Sequence, residues 1–121
     1  MKTEIADKWI AALLSGEYKQ AKGKLYDGEG YCCLGVLCKV LGGEFIKEDS
    51  YINHNVKDIW RCEGESEILT LSMKEKAGMS SLSGEYSIGV ECNDAQLTRD
   101  NDDGKTFKEI AAIIDEHRDE L

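Results

Sequence analysis

Apolar residues recur at helical spacing in three stretches of the chain, and the ground between them is mixed. Over residues 3–16, TEIADKWIAALLSG, the positions Ile5, Trp9, Ala12 and Leu13 fall on one side of a helix. Thr3 is the expected N-cap and Gly16 the expected stop. From Cys32 to Leu41 nearly every position is apolar, and Gly42-Gly43 ends the run. A ten-residue run before Gly-Gly fits a buried helix better than a strand, although Val36 and Val40 are β-branched. Near the C-terminus Phe107, Ile110, Ala111 and Ile114 line one face of KTFKEIAAIIDEHRDEL. Thr106 and Glu109 supply a capping box at its start.

The intervening segments read more weakly. Asp27-Gly28 stands between Leu25-Tyr26 and Tyr31, a hairpin signal. SYIN and VKDIW are short strands or turns, and SGEYSIGVECN has strand character. LSMKEKAGM reads as a short helix capped by Ser72, with Glu75 completing a capping box and Gly78 as stop. NDDG at residues 101–104 reads as a turn. There is no proline, no repeat and no low-complexity linker. The expectation is one compact α+β domain over residues 1–121. It is mostly helical, with an N-terminal helix, a central buried helix and a C-terminal helix beside a small antiparallel sheet.

Composition agrees with a folded chain. Of 121 residues, 41% are hydrophobic and 32% charged, the profile of a globular protein. No apolar run approaches the roughly 20 residues that span a bilayer, so no membrane partner is expected. The opening residues carry acids where an export signal is basic and then apolar, so no leader is expected and the location implied is cytoplasmic. Net charge is −9, unevenly spread: residues 1–42 hold six lysines against five acids, and residues 43–121 hold nine bases against nineteen acids. That imbalance excludes general nucleic-acid binding, which needs a basic footprint, and leaves room for a basic protein partner.

Three of the five cysteines lie within YCCLGVLC, residues 31–38. Zinc is a poor reading, because Cys33 and Cys38 would point about 140° apart on one helix. His54 and His117 are not in a finger pattern either, so no metal and no cofactor is expected. Cys32 falls where a helix begins, a position that favours a thiolate, and His54 or His117 could serve as its base. No third group is identifiable, and free cysteine is among the most buried residue types, so the segment reads first as core. NDDGKTFKE does not fit a calcium loop: with Gly104 at the sixth position, Arg99 and Ile110 stand where acids are required.

The main candidate for ligand contact is EYKQAKGK. Lys19, Lys22 and Lys24 cluster in an acidic chain, Tyr18 offers a stacking face and Gln20 an amide. Tyr31 and the NDDGK turn, with Asn101, Asp102 and Lys105, complete the candidate site. The plain alternative is a solvated connection after the first helix.

Trp9, Ala12, Leu13, Ser15, Gly16, Tyr18 and Gln20, the whole of Tyr31 to Cys38, and DNDDGKTFKEIAAII together resemble a family of small proteins encoded by tailed bacteriophages and prophages. LTLSMKEKAGM resembles that family's middle helix without its usual proline, and Asp100 stands where the family usually has Leu. The resemblance implies an origin more than a mechanism: small accessory phage proteins often act on host factors inside the infected bacterium, many without catalysis. The expectation is therefore a non-catalytic binding protein that counters host defence by sequestering a small nucleotide-type signal. The alternatives are an acidic inhibitor of a host defence enzyme and a Cys32-dependent hydrolase or transferase. The expected partner is a nucleotide-like ligand or a host defence protein, with a homo-oligomer left open.

Overall fold

A computed structural model describes the backbone of residues 1–52, 55–88 and 93–121, and the side chains among them outside 50–58 and 89–94. His54 and Cys92 lie outside the described residues. In chain order the elements are α1 (Thr3–Leu14), α2 (Cys33–Val40), β1 (Phe45–Ile52), β2 (Asn55–Cys62), α3 (Leu71–Ala77), β3 (Glu85–Ile88), β4 (Asn93–Gln96), α4 (Leu97–Asp102) and α5 (Phe107–His117). The architecture is α+β, as expected. It has two antiparallel two-stranded sheets, β1–β2 and β3–β4, instead of a single small one.

The helices follow the sequence pattern, with two corrections at their starts. In α1, Ala6, Trp9 and Leu13 are buried, and Gly16 at φ 77° ends the run. Thr3 does not cap it. Lys2 occupies that position without a side-chain bond, and its own N–H donates to the Ala77 carbonyl at 2.9 Å, so tertiary contact holds this end. In α3 the cap is Thr70, not Ser72. Thr70 Oγ1 accepts from the Met73 N–H at 3.1 Å, which starts the helix before Ser72, and Gly78 closes it in the left-handed conformation. The Thr106–Glu109 capping box of α5 forms, and Phe107, Ile110, Ala111 and Ile114 are buried where α5 packs along α1.

α2 is the centre of the core, with every residue from Cys33 to Cys38 buried. Its glycine has a spatial reason. A Cβ at Gly35 would stand 1.9 Å from the Leu25 carbonyl oxygen, so the helix backbone lies directly against the 25–26 segment. The Cys32 N–H donates to that same Leu25 carbonyl at 3.1 Å, and Trp9 Nε1 donates to the Cys33 carbonyl at 2.9 Å. Within YCCLGVLC, residues 33–38 are therefore buried helix, held from both sides.

The NDDG stretch is not a bare turn. Its first two residues end α4, which Leu97, fully buried, anchors to the core. Gly104 at φ 105° then turns the chain toward Thr106. At residues 26–31 a tight reversal forms, with Tyr26 and Tyr31 bridged antiparallel. The Asp27 carboxylate accepts from the N–H groups of Glu29 (2.9 Å) and Gly30 (2.8 Å), and those bonds hold it below the ordinary carboxylate range. Among the described residues no helix is long and apolar enough to cross a membrane.

Candidate ligand-binding site

The segment 18–24 and the end of α4 meet, and hydrogen bonding consumes much of their polarity. Gln20 Nε2 donates to Asn101 Oδ1 at 2.9 Å and to the Lys105 carbonyl at 2.7 Å. The Gly23 N–H donates to Asp102 Oδ1 at 2.8 Å. Asn101 is fully buried; its Oδ1 also accepts from the Cys33 N–H at 3.2 Å, and its Nδ2 donates to the Ala21 carbonyl at 2.7 Å. Gln20 and Asn101 thus stitch three segments together.

The lysines go to different neighbours. Lys19 faces Glu29 at 3.8 Å, Lys24 binds Glu67 at 2.7 Å, and Lys105 faces Asp100 at 3.9 Å. Lys22 has no ion-pair partner among the described residues, and its ammonium lies over the Gly104 turn.

Lys24 and Asp102 share a cleft of about 180 Å³ with Gly23, Cys32, Glu67, Ile68 and Thr98. This is smaller than the roughly 300–1,000 Å³ of ordinary small-molecule pockets. Burial pushes the Cys32 thiol up to about 11, outweighing the pull of the Gly35 and Leu34 N–H groups, so the thiolate is disfavoured at neutral pH. The His117 ring lies on Tyr86, with centroids 4.7 Å apart, and its nitrogens face Glu116 and Glu120, not Cys32. Among the described residues no group of three or more His, Cys, Asp or Glu side chains is placed to hold a metal.

Tyr18 and Tyr31 belong to a different constellation. Tyr31 stacks on Tyr26 with centroids 4.5 Å apart, and Tyr18 meets Tyr31 edge-on at 5.3 Å. Phe45 lies 5.3 Å from Tyr26 and 5.8 Å from Tyr31, and Trp60 lies 5.0 Å from Tyr26. Five of the nine aromatic residues in the chain gather here, and all five are only half-buried. Burial raises the Tyr31 phenol above its ordinary value, with Tyr26 and Tyr18 adding to the shift.

Sequence reading missed Tyr26, Phe45 and Trp60. The strand register brings the latter two to one face: Phe45 pairs with Cys62, and Trp60 pairs with Lys47 two positions along. The Asp27-Gly28 pair was the usable signal. Trp60 packs over that turn, where a Cβ at Gly28 would stand 2.9 Å from Trp60 Nε1.

Fold and site together define a small α+β protein with a half-buried aromatic cluster and a small cleft. The chain belongs to the family described as Domain of unknown function (DUF8296), whose pattern matches residues 1–118. No curated protein and no solved structure matches it.

Proposed function

We propose that this chain is a phage-encoded, non-catalytic binding protein that counters host defence by sequestering a small nucleotide-type signal in the infected bacterial cytoplasm. The observation that carries the reading is the five-ring cluster. Half-buried rings in one patch leave π-faces for a base, and base–aromatic stacking is worth roughly 1–3 kcal/mol per base. Lys19 stands next to Tyr18, and its 3.8 Å contact with Glu29 joins two largely exposed side chains, so a phosphate can displace it at little cost. Lys22, which has no ion-pair partner among the described residues, adds a second cation. Phage origin rests on the motif resemblance, and the non-catalytic character on the protonated Cys32 thiol.

Trp60 supplies the test, because Trp9 is fully buried and insensitive to a surface ligand. Titration of the purified chain with a panel of mononucleotides and cyclic dinucleotides should quench the Trp60 emission saturably for one class. An unchanged emission across the panel overturns the nucleotide reading.

One observation favours a second reading. Residues 44–67 hold seven acids against three bases, and Glu44, Glu48, Asp49, Glu63, Glu65 and Glu67 are exposed. Such a surface suits an inhibitor that docks on a basic host enzyme. Salt-sensitive capture of such an enzyme by a chain that leaves every nucleotide unbound would establish it.

A further inference from the structure

α1 and α5 enclose a groove that includes none of the ring-cluster residues. It measures about 580 Å³, and Ile10, Ala11, Leu14, Ala111 and Ala112 form its apolar wall. Ala11 and Ala112 are exposed, and Leu14, 56% exposed, is a large apolar side chain left at the surface. The two helices run antiparallel: the N-terminal amine, just before α1, donates to the carbonyl of Arg118, just past α5, at 2.9 Å. Charge divides along the groove in the same sense. At the C-terminal end of α5, Arg118 donates to Asp7 Oδ1 at 2.9 Å and to Asp115 Oδ1 at 2.6 Å. Two carboxylates share one guanidinium there, so a negative charge is left over. At the other end Lys108 is exposed and has no ion-pair partner among the described residues.

We propose that this groove is the contact surface of a homodimer, with α5 of one copy lying antiparallel across α5 of the other. Charge selects that arrangement. Lys108 and Asp115 stand about two turns apart, and so on one side of α5. A two-fold axis that crosses the helix between Ala111 and Ala112 places Lys108 of each copy opposite Asp115 of the other, and the pair forms twice. The parallel arrangement instead sets the two acidic ends against one another and leaves each Lys108 unpaired, which like-charge repulsion disfavours. At the centre the alanines let the two backbones approach, and Leu14 loses its exposure against the apolar wall of the other copy. The net charge of −9 opposes self-association at a distance, and physiological salt screens it.

Sedimentation velocity of the full chain in physiological salt, over a range of micromolar concentrations, should show a monomer passing to a dimer. Leu14→Glu, at a position that already faces solvent, should raise the dissociation constant by at least about tenfold. Lys108→Glu and Asp115→Lys each set like charges opposite one another twice, and each variant alone should sediment as a monomer. Mixed in equal amounts the two should recover the dimer, because every facing pair is then of opposite sign. Recovery on mixing cannot come from a contact within one chain, and circular dichroism confirms that each variant is folded. A wild-type chain that stays monomeric throughout overturns the proposal and leaves the groove to a different partner. A dimer that Leu14→Glu leaves intact, or folded single variants that fail to recover on mixing, overturns it equally. The ring cluster enters none of these readouts, so nucleotide binding can fail without changing them.

Discussion

The carboxamide oxygen of Asn101 accepts from the backbone N–H of Cys33 at 3.2 Å, across 68 residues of sequence. That bond satisfies a donor at the start of α2 that no side chain of α2 itself caps. The same side chain holds Gln20 and the Ala21 carbonyl, so one buried amide ties α4, α2 and the 18–24 segment together. Replacing Asn101 with Leu strands the Cys33 N–H and the Ala21 carbonyl. It should cost about 2–4 kcal/mol in urea unfolding, at roughly 1–3 kcal/mol per unsatisfied buried group. An unchanged midpoint would remove Asn101 from this structural role.

Gly35 should be intolerant of any side chain. A Cβ 1.9 Å from the Leu25 oxygen cannot be accommodated without moving α2 away from the 25–26 segment. Gly35→Ala raises helix propensity by about 1 kcal/mol yet should destabilise the protein by more than roughly 3 kcal/mol. Circular dichroism melting reads the sign directly: a stabilised variant would mean that α2 does not pack as described.

Alkaline pH should weaken the fold. The Cys32 thiol titrates near 9.0 when unperturbed and is pushed to about 11 by burial. Between those values the unfolded chain has lost the proton and the folded chain retains it, so stability falls as pH rises. The contribution is fully present below pH 9.0 and is lost by about pH 11, on the order of 2–3 kcal/mol. Burial raises Cys33, Cys38 and Cys62 in the same direction, which steepens the decline. Urea unfolding at a series of pH values should show the fall beginning near pH 9, and Cys32→Ala should flatten it. A profile in which wild type and variant run parallel would contradict this assignment.

Binding should depend on the rings more than on the lysines. Tyr31→Ala removes the ring at the centre of the Tyr18, Tyr26 and Phe45 contacts and should weaken a stacked nucleotide about 10- to 100-fold. Lys19→Ala combined with Lys22→Ala should cost about tenfold, because a lysine side chain 72% exposed is screened by water. Calorimetric titration, with circular dichroism to confirm folding, separates the two. A folded Tyr31→Ala protein that binds as tightly as wild type would move the site away from the ring cluster.

Much of the helical frame was legible because helix signals are local. The α5 capping box, its apolar face, the nearly all-apolar run of α2 and the glycine stops at 16, 42 and 78 all sit within a few residues of what they control. The Thr70 cap and the existence of α4 were not legible. Ser72 and Thr70 are equally good caps on paper, and LTRDND has no apolar period; packing of Met73 and Leu97 into the core decided both. The candidate site divides along the same line. The sequence by itself placed polar and aromatic residues in EYKQAKGK, at Tyr31 and in NDDGK. Only tertiary structure separated them, sending Gln20 and Asn101 into a buried seam and Tyr18 and Tyr31 into a ring cluster with Tyr26, Phe45 and Trp60. The physical reason is range: a cap or a stop is set by neighbours in the chain, whereas a shared ring face depends on how the β1–β2 hairpin, with Trp60 far along the chain from Tyr18, docks onto the body.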